Sequence, residues 1–148
     1  MKNIVIVDVD GTIAKVGDRI KYLQQEPKDW DSFYKDSFQD EPIPEMVALI
    51  IRLSRNYEIV FCTGRREMVR EVTLQWINKK TFGLIKYMKL LMRKDGDLRP
   101  DAIVKPELVR EAGIDFNDIS FVLEDRSKVV KAWRELGVRC LQVDEGDF

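Results

Sequence analysis

Residues 3–12 read NIVIVDVDGT. Four consecutive aliphatic residues, ending at Val7, lead into two aspartates that are separated by one residue, Asp8 and Asp10. A short, continuous aliphatic run is typical of a strand that is buried on both faces of a parallel sheet. Two neighbouring carboxylates repel each other, and neither favours a strand. We therefore expect the end of this strand to hold something that offsets their charge.

Short apolar runs alternate with helical patterns through the rest of the 148-residue chain. The runs predict strands at 3–8, 57–62, 85–92, 119–123 and 138–143. The helical periodicity predicts helices at 44–55, 66–79 and 127–136. A further short helix is expected to begin at Pro106 and to end at Gly113. This order indicates an α/β fold, a three-layer sandwich in which helices cover both faces of a mainly parallel five-stranded sheet.

The longest irregular stretch, residues 13–43, lies between the first strand and the first helix. A connection of this length inside a compact domain is usually functional. It contains five aromatic residues, namely Tyr22, Trp30, Phe33, Tyr34 and Phe38. We expect it to form a small helical insert after strand 1, over one edge of the sheet, within a single domain that comprises residues 1–148.

The composition excludes several classes of protein. The 25 basic and 26 acidic residues give a net charge of −1, which argues against a protein whose only role is to coat nucleic acid. The chain has no histidine, so serine–histidine triads and imidazole zinc sites are excluded. Neither cysteine begins the C-x5-R motif of cysteine phosphatases, because the sixth residue after Cys62 is Met68 and the sixth after Cys140 is Gly146. Both cysteines lie in apolar runs, which favours reduced core thiols over a disulfide.

The chain carries no recognisable membrane or export signal. The apolar stretch near the N-terminus is too short for a signal peptide, and acidic residues interrupt it. No apolar run approaches the ~20 residues that a membrane-spanning helix needs. A cytoplasmic protein with no membrane partner is therefore expected.

Polar residues follow three of the predicted strands, at the strand ends where open α/β sheets bind ligands. The groups are Asp8-Val9-Asp10-Gly11-Thr12, Thr63-Gly64-Arg65 and Glu124-Asp125-Arg126, and Lys105 comes shortly before the fourth strand. Carboxylates from two strands can share a hard cation such as Mg²⁺, and Thr63 and Lys105 can bind phosphoryl oxygens. Each group alone also fits a turn or a helix cap. All of them at successive strand ends favour a site for phosphoryl transfer.

The same groups carry a family resemblance. DVDGT, TGR, the downstream lysine and the late acidic pair resemble the four motifs of the haloacid dehalogenase (HAD) superfamily of phosphotransferases. GTIAKVGDR, LLMRKDGDLRPDAIVK, VLEDRSKVVKAWRELGV and CLQVDEGDF are similar to the 3′-phosphatase domain of phage polynucleotide kinase-phosphatases, and the similarity begins at about residue 3. Two features differ from that family. No Walker A sequence occurs in the chain, and Glu124-Asp125 stands where an Asp-Asp pair is common.

The resemblance implies a HAD-like Rossmannoid fold and a role for each site residue. Asp8 would be the nucleophile that forms an aspartyl-phosphate, Asp10 the general acid and later base, and Lys105 the third catalytic residue. Mg²⁺ would be bound by Asp8, by the main-chain carbonyl of Asp10 and by Asp125, with support from Glu124. Phosphate or substrate binding is implied for Thr12, Arg19, Thr63, Gly64, Arg65, Asp101 and Arg126. In this scheme Mg²⁺ and Lys105 favour charge on Asp8 and leave Asp10 able to hold a proton.

The implied substrates are 3′-phosphorylated DNA or RNA ends, or 3′-nucleotides. Candidate contacts to such an end are the basic residues Arg65, Arg66, Arg70, Lys86, Lys89, Arg93, Lys94 and Arg99. Such runs are more often solvated faces than binding sites, and the aromatic residues of the insert are more often packed on the sheet than stacked on a base. One alternative is a HAD phosphatase for a small nucleotide or sugar phosphate. Another is a phosphate-binding module without catalysis, which the presence of both aspartates disfavours.

Overall fold

The structure is a computed structural model that describes residues 2–86 and 88–147. Residues 1, 87 and 148 lie outside the described part. The predicted strand 85–92, the closing segment of the family resemblance and the predicted domain limits each include one or more of these positions. That residues 1–148 form one domain stays a prediction.

Five strands and five α-helices form the described fold. The strands are β1 (Ile4–Val7), β2 (Glu58–Arg66), β3 (Met88–Arg93), β4 (Ile119–Arg126) and β5 (Cys140–Gly146). The helices are α1 (Trp30–Lys35), α2 (Pro44–Leu53), α3 (Arg70–Lys80), α4 (Asp101–Glu111) and α5 (Ser127–Glu135). Short 3₁₀ turns cover Gly17–Leu23, Asp36–Gln39, Glu67–Val69 and Phe116–Asp118. Every predicted strand is present, which confirms the α/β class.

The strands form one sheet in the order β3-β2-β1-β4-β5, and every pairing in it is parallel. The central strand β1 pairs with β2 on one side and with β4 on the other, so that Val7 lies opposite Phe61 and Leu123. All carboxyl ends therefore lie at the same edge of the sheet. This arrangement brings together the polar groups that follow β1, β2 and β4.

Alternate residues of each strand face opposite layers, as the pleat requires. Val5 and Val7 pack with the insert, α2 and α3, whereas Ile4 and Ile6 pack with α4 and α5. Burying one aliphatic side chain of this size stabilises the fold by about 1.5–3 kcal/mol. The three-layer sandwich with a five-stranded parallel sheet that the sequence predicts is thus confirmed.

The insert is helical, and it lies at the edge of the sheet that the carboxyl ends of the central strands form. Phe33 and Leu23 are buried in the core layer that contains α2 and α3. The hydroxyl of Tyr34 donates a hydrogen bond to the carbonyl oxygen of Gly64 at the end of β2, with an O···O distance of 3.1 Å. Burial of these aromatic rings fixes the insert beside the predicted site.

Two predicted helix starts are wrong. Helix α4 begins at Asp101, after Pro100 at the N-cap, so Pro106 lies inside the helix instead of opening it. Strand β2 continues to Arg66, so the helix predicted from residue 66 begins at Arg70 after a 3₁₀ turn. The earlier start of α4 matters for the site, because helical side chains point back toward the N-terminus. Lys105 can therefore reach the carboxyl ends of the strands from the second turn of α4.

Among residues 2–86 and 88–147, the helices are too short and too polar to cross a bilayer. Cys62 and Cys140 are buried free thiols, as expected. Burial raises the pKa of each thiol to about 12, so neither is a thiolate nucleophile at neutral pH.

Candidate active site

Asp8 follows β1 directly, and its carboxylate is held by two donors. The Thr12 hydroxyl donates to Oδ2 at 2.9 Å, and the Lys105 ammonium donates to Oδ1 at 2.8 Å. The carbonyl oxygen of Val9 accepts three successive backbone N–H groups, from Thr12, Ile13 and Ala14. This turn brings Thr12 back to Asp8. The predicted nucleophile is thus pre-oriented by local structure and by one residue from α4.

Lys105 links Asp8 to Glu124. Its ammonium lies 2.8 Å from Asp8 Oδ1 and 2.7 Å from Glu124 Oε2, and all three side chains are buried. Burial lowers the pKa of Lys105, but the two carboxylates outweigh it and keep the pKa well above its ordinary value. The other oxygen of Glu124 accepts the backbone N–H groups of Asp125 and Arg126. Both Glu124 oxygens are therefore engaged, and the longer acid acts chiefly as a support for Lys105.

Asp125 lies against two glycine backbones. A Cβ atom on Gly11 would lie 2.0 Å from Asp125 Oδ2, and one on Gly146 would lie 2.7 Å from the same oxygen. Gly11 also has a φ of +82°, which side chains rarely tolerate. Only glycine fits at residue 11, because both its backbone conformation and the approach of the carboxylate exclude a larger residue. The glycine of the DVDGT motif therefore makes room for a carboxylate from another strand.

The acidic cluster suits a hard divalent cation. Asp8, Glu124 and Asp125 each offer a carboxylate oxygen, and these oxygens lie within 4.8 Å of one another. Asp125 Oδ1 is buried without a hydrogen-bond partner among the described residues. Burial and the Asp8 carboxylate raise the pKa of Asp125 to about 10, and the same two causes raise that of Glu124 to about 7. A cation would offset this repulsion, and an all-oxygen donor set is what Mg²⁺ prefers.

Asp10 lies in a different environment from Asp8. Arg65 donates to both Asp10 oxygens, at 3.1 and 2.7 Å, and Arg19 donates to Oδ1 at 2.8 Å. Burial tends to raise the pKa of Asp10, but the two guanidinium groups prevail and hold it well below its usual range. The expectation that Asp10 readily holds a proton is therefore at odds with the structure. Lys105 lies beside Asp8 as expected, but Arg19 and Arg65 favour charge on Asp10.

Asp40 is a buried acid that the sequence did not single out. Its carboxylate accepts from Arg19 Nε at 2.7 Å, and from Arg19 and Arg65 terminal nitrogens at 2.6 and 3.3 Å. The indole of Trp76 donates to its main-chain oxygen at 3.0 Å. Arg19 and Arg65 are almost fully buried between the two aspartates. This geometry favours a supporting role for both arginines over direct contact with a substrate.

Asp101 binds the last residues of β3 and β4, which are both arginines. It forms ion pairs with Arg93 and with Arg126, the latter at 2.8 Å. A Cβ atom on Gly64 would lie 2.4 Å from Asp101 Oδ1, so the glycine after Thr63 is needed for this close approach. Arg93 also donates to the carbonyl oxygens of Gly64, Asp97 and Arg99. Arg93 is therefore mainly structural, although it had been expected only as a possible nucleic-acid contact.

A small catalytic cavity opens onto a larger groove. The cavity, of about 20 Å³, contains Asp8, Asp10 and Thr63 and is closed on the insert side by aromatic rings. The adjoining side groove, of about 170 Å³, is bounded by Trp30, Arg66, Leu98, Arg99, Asp101 and Arg126. Both spaces share Trp30, Tyr34, Asp101 and Arg126. The side groove thus adjoins the cavity that Asp8 and Asp10 line.

Only part of the predicted basic set reaches this groove. Arg66, Arg93 and Arg99 line it. Arg70 instead binds Glu67 and the carbonyl oxygen of Leu90, and Lys89 and Lys94 pair with Glu58 and Glu111. Lys86 lies with Tyr57 and Glu58 near the amino end of β2. Of the aromatic residues, Phe33 and Tyr34 are packed in the core, while Trp30 is only partly buried.

Comparisons with known proteins identify the family of this chain. Residues 2–148 match the family model described as the polynucleotide kinase PNKP phosphatase domain. A relative from Autographa californica nuclear polyhedrosis virus, described as a proposed bifunctional polynucleotide kinase/RNA ligase, is 29% identical over 136 residues, which are 90% of this chain and 18% of the relative.

Solved structures extend the comparison. A chain of the Pnkp1/Rnl/Hen1 RNA repair complex is 31% identical with a TM-score of 0.79, over 99% of this chain and 44% of that one. A HAD family enzyme from Bacteroides thetaiotaomicron, solved with magnesium and inorganic phosphate, shares the fold at 14% identity and a TM-score of 0.57, over 100% and 97% of the two chains. This chain therefore spans less than half of the first two relatives. It belongs to the polynucleotide kinase PNKP phosphatase domain family of the HAD superfamily and is a phosphatase.

Proposed function

We propose that this chain is a Mg²⁺-dependent phosphomonoesterase that removes 3′-phosphates from DNA or RNA ends through an aspartyl-phosphate on Asp8. The observation that carries the proposal is the position of Asp8, a buried carboxylate fixed by Thr12 and Lys105 beside an acidic cluster. Its cavity opens into a groove that contains arginines. The relative in an RNA repair complex supports a polynucleotide substrate.

The reaction proceeds in two displacements at phosphorus. In the first, an oxygen of Asp8 attacks the phosphorus, the bond from phosphorus to the sugar O3′ breaks, and Asp10 donates a proton to that oxygen. In the second, Asp10 accepts a proton from a water molecule whose oxygen attacks the phosphorus. The bond between Asp8 and phosphorus then breaks and releases inorganic phosphate.

Asp8 and Asp125 would hold the cation together with the main-chain carbonyl of Asp10, and Glu124 would support them through Lys105. When bound, Mg²⁺ neutralises negative charge on the transferring phosphoryl group. Lys105 adds a fixed positive charge beside Asp8, and Thr63 at the end of β2 adds a hydroxyl at the cavity wall.

Asp10 needs a proton for the first displacement, although its arginine partners favour the ionised form. An incoming phosphomonoester brings up to two negative charges into the same cavity. Like charges raise the pKa of a carboxyl group, so substrate binding opposes the effect of Arg19 and Arg65. After the leaving group departs, the same arginines restore the ionised base for attack by water. The charge of the substrate thereby suits Asp10 to its first role, and the paired arginines suit it to the second.

The decisive experiment compares substrates under one condition. Phosphate release is measured from a 3′-phosphorylated oligonucleotide, its 5′-phosphorylated twin, 3′-mononucleotides and sugar phosphates. We expect the 3′ substrates to have the highest kcat/KM, which is the measure of discrimination. Higher values for sugar phosphates or 5′ ends would reject the polynucleotide substrate and favour the small-molecule alternative. The location in the cell stays a prediction, with cytoplasm expected.

A further inference from the structure

The side groove combines features that suit one flat ring. Its volume of about 170 Å³ is close to the roughly 150 Å³ of an engineered cavity that admits benzene. Trp30 and Leu98, which is 80% exposed, both line it. The Trp30 indole stacks on Tyr34 with a centroid distance of 5.8 Å and contacts the edge of Phe33, so its orientation is fixed. The groove therefore presents a rigid aromatic wall and an exposed aliphatic one.

The charge of the groove favours an anionic ligand. Four arginines and two aspartates line it, which leaves an excess of two positive charges. Asp31 and Glu107 pair with Arg66 and Arg99 from outside this lining and offset part of that excess. The ammonium of Lys28 lies 5.9 Å from the centre of the Trp30 ring and adds positive charge nearby. A ligand with a flat ring and a neighbouring phosphodiester would match both the walls and the charge.

We propose that the side groove is a nucleobase subsite, in which the base of the 3′-terminal nucleotide stacks on Trp30 opposite Leu98. This inference rests on the proposed function and adds the part of the substrate that the site recognises. A phosphate at Asp8 places its sugar at the shared boundary of the two spaces, and the base then enters the groove. Stacking on an aromatic ring tolerates every base, so terminal A, C, G and T or U should react with similar kcat/KM.

The test removes the base from the substrate and the ring from the protein. Two oligonucleotides with a 3′-phosphate are compared, one ending in a normal nucleotide and one in an abasic sugar. The readout is the ratio of their kcat/KM values, base over abasic. Stacking on an aromatic side chain predicts a ratio of about 5 to 150 for the unaltered protein. Trp30→Ala should bring the ratio close to one, and Trp30→Phe should retain part of it.

A second pair of variants avoids the buried side of Trp30. Leu98→Asp places a carboxylate in the groove at a position that is 80% exposed, so the fold does not depend on it. This variant should lower the ratio, whereas Leu136→Asp, on the surface after α5, should leave it unchanged. The comparison holds even where Trp30→Ala fails to fold.

The outcomes separate this inference from the proposed function. Activity on 3′ ends with a ratio near one in the unaltered protein would reject the subsite and leave the 3′-phosphatase intact. An elevated ratio that neither Trp30→Ala nor Leu98→Asp changes would reject the side groove as the place of recognition. Absence of activity on both 3′-phosphorylated oligonucleotides, with aryl phosphate still hydrolysed, would reject the proposed function itself.

Discussion

The two aspartates of the DVD motif lie in opposite electrostatic environments. On the Asp8 side, Lys105 pairs with Asp8 and Glu124, and Asp125 lies beside them, so three carboxylates and one ammonium carry two negative charges in excess when all are ionised. On the Asp10 side, Asp10 and Asp40 face Arg19 and Arg65, and the charges balance.

The difference separates a site that needs a ligand from one that is complete. Burial and repulsion by the Asp8 carboxylate raise the pKa of Asp125. The buried like charges remain unfavourable until a cation joins them. The balanced side is satisfied by its own arginines, and it lowers the pKa of Asp10 below the usual range. A single intervening residue, the fully buried Val9, separates the two environments. The close pairing of aspartates at the end of β1 is thus tolerated for two separate reasons.

The largest effect should come from replacing the nucleophile. Asp8→Asn keeps the shape and removes the charge that attacks phosphorus, so kcat should fall by more than about 10⁴-fold. The metal-free protein should not lose thermal stability, because the substitution relieves repulsion with Asp125. Radiolabelled phosphate trapped from substrate should map to Asp8 in the unaltered protein. A phosphoenzyme on any other residue would contradict the assignment.

Metal removal should have the next largest effect. EDTA should lower hydrolysis of an aryl phosphate by about 10³-fold or more, because the cation contributes several kcal/mol of charge stabilisation, and Mg²⁺ or Mn²⁺ should restore it. Binding to the folded state alone should also raise the Tm, even without substrate. This Mg²⁺-dependent rise should vanish in Asp125→Asn and persist in Glu135→Gln, an exposed control on α5. Full activity in chelator would overturn the metal assignment.

On the balanced side, Asp10→Asn should lower kcat by about 10²–10⁴-fold, the usual contribution of a general acid or base. The loss should be larger for alkyl leaving groups, which need a proton, than for aryl phosphates, which do not. Phosphoenzyme should then accumulate from the aryl substrate, because the base that activates water is missing. Equal losses on both substrates, with no accumulation, would place the role of Asp10 outside proton transfer.

The sequence predicted the strands, the layers and the motif residues because each rests on a local pattern. Aliphatic runs of four to six residues indicate buried strands, and the polar residues that end them lie at one edge of any parallel sheet. Positions such as Asp8, Lys105 and Asp125 could therefore be named without knowledge of distances. The reason for a glutamate at residue 124, one methylene longer than an aspartate, could be given only from its contacts to Lys105 and to two backbone N–H groups.

Asp40 and the start of α4 could not be predicted from the sequence, because both depend on the folded chain. Asp40 lies 30 residues after Asp10, at the end of an irregular insert, and only the folded insert brings it to Arg19 and Arg65. Helix α4 begins at Asp101 because that residue is bound by Arg93 and Arg126 from two strands, which outweighs the cost of Pro106 inside the helix. Both features depend on contacts between residues far apart in sequence.

The smallest predicted effect tests how Asp40 positions the balanced side. Asp40→Asn keeps an acceptor for Arg19 but removes one charge, so both arginines act more strongly on Asp10 and lower its pKa further. We expect kcat for alkyl phosphates to fall by about 10-fold, with little change for aryl phosphates, because only the former need a proton from Asp10.

The pH profile separates this positioning role from general damage. With a lower pKa, Asp10 gives up its proton at a lower pH in the enzyme–substrate complex. The limb of the kcat profile that depends on protonated Asp10 should therefore move to lower pH. Loss of a buried charged partner should also lower the free energy of unfolding by about 1–3 kcal/mol. Asp36→Asn serves as the control, since Asp36 lies in the same insert, and its side chain accepts a hydrogen bond from the partly buried Tyr22 hydroxyl and from no other side chain among the described residues. The contrary outcome is a loss of stability with an unchanged pH profile and equal losses of kcat on both substrates. Asp40 would then be a structural residue, and Arg19 and Arg65 would be sufficient partners of Asp10.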